Sequence, residues 1–175
     1  MKAKIGLTVC AVFVLGLVLS ASAQMRAGSP EDRAFTAIEN EKDTDAQIKL
    51  LLDFEKNFGA DPANSKVMPL VWSMLMNDYA IKKDVPHVNE FGEKVIKAEP
   101  ENYDALMAVS RSYSMGKSNP DKAVSYAERA IAAIAKQKTS PPPANFTGAQ
   151  WQEFLTTRKN SAKSILIYAK SVKGP

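Results

Sequence analysis

Residues 91–96 read Phe-Gly-Glu-Lys-Val-Ile, and residues 126–131 read Tyr-Ala-Glu-Arg-Ala-Ile. Six consecutive positions therefore agree in chemical type across a displacement of 35 residues. Self-similarity at a fixed period of a few tens of residues is the sequence signature of a repeat protein, in which each unit folds alike. The chain is thus predicted to contain two successive units of the same structure.

The segment before each of these stretches repeats as well. Three bulky residues return 34 positions later, so that Trp72, Leu75 and Tyr79 become Leu106, Val109 and Tyr113. Their spacing of i, i+3 and i+7 places each set on one face of a helix. The next helix turns small residues back towards that face, which are Gly92 and Val95 in the first unit and Ala127 and Ala130 in the second. Large side chains opposite small ones predict a close, repeated helix crossing.

Helix-start signals recur along the rest of the chain, whereas strand signals are scarce. An N-cap residue followed by proline occurs at Ser29-Pro30 and at Asn119-Pro120, and capping-box patterns begin at Thr44 and Thr147. The fold class predicted from these signals is all-α, with helices at roughly 30–41, 44–58, 66–82, 86–98, 103–115, 120–137 and 148–172. Because the connecting loops are short, neighbouring helices are expected to form antiparallel hairpins.

The first residues have the pattern of a secretory signal. Residues 1–4 carry two lysines, residues 5–19 are almost entirely apolar, and residues 21–23 read Ala-Ser-Ala. A short apolar core followed directly by small residues is typical of a cleavable signal peptide rather than of a membrane anchor. We therefore expect residues 1–23 to be removed, no membrane span to remain, and the protein to be exported to the periplasm or secreted.

Removal of this segment also narrows the possible chemistry. Cys10 is the only cysteine, so the exported chain would have no disulfide, thiolate metal site or catalytic thiol. Loss of Lys2 and Lys4 lowers the formal net charge from +4 to +2, which does not favour nucleic-acid binding. The only histidine, His87, has no recognisable catalytic pattern around it, and we expect it at the surface. No cofactor or metal motif is recognised, and the prediction is a protein without enzymatic activity.

The repeat resembles that of the tetratricopeptide repeat (TPR) family. In that family an aromatic, a leucine, a small residue and a tyrosine mark the first helix, and an alanine–aromatic–alanine set with a closing proline marks the second. Matching positions are Trp72, Leu75, Tyr79 and Pro100 in the first unit, and Tyr113, Ala123 and Ala130 in the second. The departures in the first unit are Met76 at the small position and Val88, Gly92 and Val95 in the alanine–aromatic–alanine set. In the second unit Leu106 replaces the first aromatic and Ala127 the second, and Ser110 is suitably small.

The resemblance implies a TPR-like superhelix, or solenoid, over residues 24–175. Its parts would be a divergent repeat at 30–58, repeats at 69–102 and 103–137, a proline-rich linker at 138–147, and a helix at 148–173. That last helix would be either a polar cap or the first half of a further repeat.

In the TPR family the first helix of each repeat lines a concave groove that binds partners. By that resemblance, the lining here would include Leu70, Ser73, Asn77, Asp104, Met107 and Arg111. The implied function is an exported scaffold that binds a protein or peptide segment. The alternative is a structural subunit of a cell-envelope complex that self-associates or docks through its C-terminal helix.

Overall fold

The computed structural model describes residues 25–174, and within this range it contains helices and no strand. The seven α-helices are α1 (Pro30–Asn40), α2 (Thr44–Phe58), α3 (Met68–Ile81), α4 (Val85–Ala98), α5 (Tyr103–Met115), α6 (Pro120–Gln137) and α7 (Gly148–Lys173). The all-α prediction is confirmed, with helix ends within two residues of those expected. The predicted signal peptide at 1–23 lies outside the described residues.

Most helices begin at a side chain that accepts a hydrogen bond from the first turn, which explains why the sequence located them. Ser29 and Asn119 cap α1 and α6, and Thr147 forms a reciprocal capping box with Gln150 at the start of α7. The cap of α2 differs from expectation. The N-cap is Asp43 rather than Thr44, and its carboxylate accepts the hydrogen bond from the Ala46 amide.

Consecutive helices are antiparallel. The side chain of Gln47 near the start of α2 donates a hydrogen bond to the carbonyl of Ile38 near the end of α1. The hydroxyl of Ser110 late in α5 donates to the carbonyl of Ala123 early in α6, over 2.6 Å. Lys173 at the end of α7 forms an ion pair with the Asp121 carboxylate at the start of α6. A polar contact between neighbouring helix ends therefore closes each of these three hairpins.

The helices from α2 onwards lie in two layers. In one layer α5 packs against both α3 and α7. In the other, Lys94 of α4 pairs with Glu55 of α2 at 2.9 Å, and Lys122 of α6 pairs with Glu93 of α4 at 2.9 Å. The odd-numbered helices α3, α5 and α7 thus share one side of the molecule, and the even-numbered helices share the other.

A close approach of three helices lies at Gly92 in α4. Gly92 faces Met76 of α3 and Val109 of α5, so three helices meet at one residue. A methyl group added at Gly92 would overlap Cγ2 of Val109 and would lie 3.2 Å from Sδ of Met76. Met76, the departure from the family pattern on α3, therefore fills space that a smaller side chain on α4 leaves open.

The residues predicted to pack between repeats are buried, with three exceptions. Leu75, Tyr79, Gly92, Val95, Leu106, Val109, Ala123, Ala127 and Ala130 are all buried. Trp72 and Tyr113 are partly buried, and each donates a hydrogen bond to a glutamate, namely Glu55 and Glu93. Pro100 is exposed. It follows the end of α4 at Ala98, and its carbonyl accepts a hydrogen bond from Arg129, so it directs the chain rather than filling the core.

A polar network beside Gly92 joins α4, α5 and α6. The Glu93 carboxylate accepts hydrogen bonds from the hydroxyls of Tyr113 (2.9 Å) and Tyr126 (2.7 Å) and from the ammonium of Lys122 (2.9 Å). Burial by itself would raise the pKa of Glu93, but the hydrogen bonds from Tyr126, Lys122 and Tyr113 outweigh it and hold the pKa below its usual value. The network therefore favours the charged carboxylate and fixes the relative position of three helices.

Replacing Gly92 with alanine tests the close approach. Helix propensity alone would stabilise the variant by about 1 kcal/mol. We expect instead a lower free energy of unfolding, by about 1–2 kcal/mol, because overpacking against Val109 and Met76 costs about 1–3 kcal/mol. Urea unfolding followed by circular dichroism measures the difference.

Two further variants separate packing from backbone effects. Adding Val109→Ala to Gly92→Ala should cost less than the sum of the two single changes, since the removed methyl groups give the new one room. Gly148→Ala, at a helical glycine with no atom within 4 Å of the added group, should change stability by no more than about 0.5 kcal/mol. A Gly92→Ala variant more stable than the parent would contradict the three-helix contact.

Candidate functional site

The candidate site is the surface formed by exposed side chains of α3, α5 and α7, which we call the odd-helix face. It contains the positions at which the sequence predicted a groove. On α3, Leu70, Ser73 and Asn77 are all partly exposed. The hydroxyl of Ser73 donates to the Pro69 carbonyl over 2.8 Å within its own helix. Leu70 and Asn77 are therefore the α3 residues of the predicted set that keep side-chain surface for a partner.

The α5 part of the predicted set is divided by the last helix. Arg158 of α7 lies 3.4 Å from the Asp104 carboxylate, and Met107 is buried in the core at 6% exposure. Arg111 is exposed. Met107 is therefore a core residue in this structure, and Asp104 is already paired with α7, which packs against α5. Of the three predicted α5 residues, only Arg111 remains free for a partner.

Two exposed apolar residues extend this surface and were not predicted as part of it. Ile81 is 69% exposed and Met115 is 57% exposed, and they occupy equivalent positions 34 residues apart. Each lies four residues beyond Asn77 or Arg111, so it continues the same helical stripe. The sequence could have predicted both residues, because Ile81 in the last turn of α3 and Met115 are apolar residues separated by the 34-residue displacement of the repeat.

The histidine has a partner that the sequence reading missed. Asp84 caps α4 with one carboxylate oxygen, and its other oxygen lies 2.8 Å from Nδ1 of His87. Hydrogen bonding to His87 lowers the pKa of Asp84. The imidazole also stacks on the Tyr79 ring, with the ring centres 4.3 Å apart. These contacts hold His87 at the start of α4, where the carboxylate and the ring stabilise the α3–α4 turn.

Asp78 in α3 is the one acidic residue buried in the described core. Asp78 is only 7% exposed, and its Oδ2 atom accepts no hydrogen bond from residues 25–174. Burial raises the pKa of Asp78 to about 6. The equivalent residue in the second repeat, Ser112, donates a hydrogen bond to the Val85 carbonyl over 3.3 Å. Asp78 therefore lacks the partner that its counterpart has, and its ionisation opposes folding.

The stability of an Asp78→Asn variant should depend on pH in a defined direction. An aspartate whose pKa rises from 3.8 unfolded to about 6 folded destabilises the protein as the pH climbs through that interval, and its full penalty applies above it. We expect Asp78→Asn to be more stable than the parent by about 1–2 kcal/mol at pH 7.5, because the amide needs no ionisation but is still polar. The two proteins should converge near pH 4.

Chemical unfolding at several pH values measures this difference. Asp53→Asn, at an exposed residue of α2, is the matched control, and its stability should equal that of the parent at every pH. If Asp78→Asn were less stable than the parent at pH 7.5, the carboxylate would be forming a contact that stabilises the fold.

Residues 25–174 contain no cluster of three or more histidine, cysteine or acidic side chains arranged to hold a metal ion. Within the same range, no helix combines the length and apolar character needed to cross a bilayer.

Comparisons with protein families, with curated proteins and with solved structures found no match to this chain.

Proposed function

We propose that the protein is an exported, non-enzymatic TPR scaffold that binds a protein or peptide segment on its odd-helix face. The observation that carries the proposal is a paired arrangement of accessible side chains. Asn77 and Ile81 on α3 are repeated as Arg111 and Met115 on α5, 34 residues later. Each helix thus presents one hydrogen-bonding group and one apolar group at corresponding positions.

This arrangement suits the recognition of another chain. Asparagine and arginine side chains can donate hydrogen bonds to the backbone carbonyls or carboxylates of a bound segment. Exposed isoleucine and methionine supply apolar contacts, and methionine adapts to partners of different shape. Helical hairpins that repeat at a near-constant step present such groups at regular intervals, which is how solenoid proteins bind extended partners. The two-layer packing of α2 to α7 supports the TPR reading of the repeat.

Selection from a displayed library of random dodecapeptides tests the proposal. Peptides that bind the purified chain should lose at least tenfold in affinity for the Asn77→Ala/Arg111→Ala double variant, a change of about 1.4 kcal/mol. Lys49→Ala/Asn57→Ala, at two exposed residues of α2, is the control pair and should bind as the parent does. Peptides that bind the parent and the Asn77→Ala/Arg111→Ala variant equally would show that the odd-helix face is not the binding surface.

A second function is favoured by one observation on α7. Ile167 is 71% exposed, more than any other large apolar residue in the described chain, and it lies about 100° around the helix from Tyr168. Such a residue could join α7 to another subunit. Under this alternative, the mass of the parent measured by light scattering should rise with protein concentration. The mass of an Ile167→Ser variant should be lower than that of the parent at the same concentration. A mass equal to one chain at all concentrations, in both proteins, would reject self-association through α7.

A further inference from the structure

Three exposed apolar residues of the odd-helix face, one from each helix, form a row across α3, α5 and α7. Asp104 of α5 and Arg158 of α7 are paired, which fixes the two helices side by side. Met115 lies eleven residues beyond Asp104, about 16 Å along α5. The same step along α7 from Arg158 reaches residue 169, next to Tyr168, which is 45% exposed. Met115 and Tyr168 are therefore level with each other.

Helical geometry also places these side chains on one side. Asp104 and Met115 differ by only about 20° around α5, so Met115 lies on the side of α5 that turns towards α7. Tyr168 lies about 80° from Arg158 around α7, on the side that turns towards α5. Ile81 occupies the position on α3 that Met115 occupies on α5, and α3 packs against α5. Ile81, Met115 and Tyr168 thus form what we call the apolar row.

Unpaired positive charge borders the apolar row. Lys83 and Lys117 each follow a row residue by two positions, and both have left-handed backbones, with φ of 60° and 48°. Arg111 lies one turn before Met115. No acidic group of residues 25–174 lies within ion-pair distance of these three cations. The local surface therefore combines apolar contacts with an excess of positive charge.

Two acids at this end of the molecule are already engaged, and Asp78 in the last turn of α3 is buried. Asp84 is bonded to His87, and Asp121 is paired with Lys173. Lys82, which also lies at this end, pairs with Asp45 of α2 and contributes no free charge. Charge complementarity therefore favours a partner that brings its own carboxylates to Lys83, Lys117 and Arg111.

The spacing of the row sets the form of that partner. Helices in direct contact lie about 8–10 Å apart. A chain in the extended polyproline II conformation has three residues per turn and advances about 3.1 Å per residue, so side chains three residues apart lie on one side of it and about 9 Å apart. We propose that the apolar row binds an extended acidic segment with an apolar side chain at every third residue. This inference rests on the proposed function and specifies the chemistry of the partner.

A labelled heptapeptide of sequence LEDLEDL is the probe, and fluorescence anisotropy with the full chain measures its affinity. The peptide LLEDEDL has the same composition with altered leucine spacing, and LKKLKKL reverses the charge. We expect LEDLEDL to bind at least tenfold more tightly than either, and more weakly in 0.5 M than in 0.05 M salt. Equal affinity for LEDLEDL and LLEDEDL, or no measurable binding of LEDLEDL, would overturn the inference.

Substitutions locate the binding on the row. Ile81→Ser/Met115→Ser should weaken LEDLEDL binding at least tenfold, and both residues are exposed, so the fold should be kept. Leu52→Ser, at an exposed leucine of α2, is the matched control and should bind as the parent does. An Ile81→Ser/Met115→Ser variant that keeps its affinity within twofold would overturn the inference. Equal melting temperatures of the three proteins confirm that folding is unaffected.

Two other occupants of the row are distinguished in the same experiment. Vesicles of phosphatidylglycerol that bind the parent and not the Ile81→Ser/Met115→Ser variant, where LEDLEDL does not bind, would assign the row to a membrane surface and overturn the peptide assignment. Concentration-dependent association lost in that variant would assign it to a second copy of the chain. Library peptides that require Asn77 and Arg111 but are insensitive to Ile81→Ser/Met115→Ser would leave the proposed function standing and refute this inference alone.

Discussion

The contact of α3, α4 and α5 at Gly92 is the constraint on which the rest of the helix array depends. A glycine there lets Met76 and Val109 approach α4 from two sides, so the position of α5 is set by packing against both preceding helices. Protein interiors are close-packed, and a change of one methyl group is felt by all the neighbours. Because α5 carries Arg111 and Met115 and also supports α7, this single small residue determines where the candidate binding groups lie.

Polar contacts beside this junction make the helix positions specific. The Glu93 carboxylate is held by two tyrosine hydroxyls and a lysine from the next hairpin, and its lowered pKa shows that these bonds outweigh the cost of its burial. Buried or half-buried polar groups that are fully bonded select one arrangement among several that would bury similar apolar area. Asp78 shows the opposite case, since it is buried without a partner and gains nothing from ionisation.

The sequence predicted the helices and the repeat because their causes are local. Caps such as Ser29, Asn119 and Thr147 and a 34-residue displacement can be read along the chain. Features that depend on how distant helices pack could not be read in this way. The sequence predicted that Met107 was available for a partner, because nothing near it in the chain shows that α7 packs against α5. That packing includes contacts with residues about fifty positions away, such as Arg158 with Asp104. In the sequence, the large Met76 and the small Gly92 were two separate departures from the TPR pattern. Their contact in the structure shows that the larger side chain fills the space that the smaller one leaves.

The two tryptophans lie in different parts of the array, one in α3 and the other in α7. Trp72 in α3 donates its indole N–H to Glu55 of α2 over 2.7 Å, while Trp151 in α7 lies among Phe146 and Phe154 with its indole nitrogen buried and unbonded. An indole bonded to a carboxylate and one enclosed by aromatic rings have different surroundings, so their emission spectra should differ. With Trp72→Phe, the remaining fluorescence would report only on the last helix. The molecule thus contains its own pair of spectroscopic reporters, able to show whether the α2–α3 contact and the last helix melt together or in sequence.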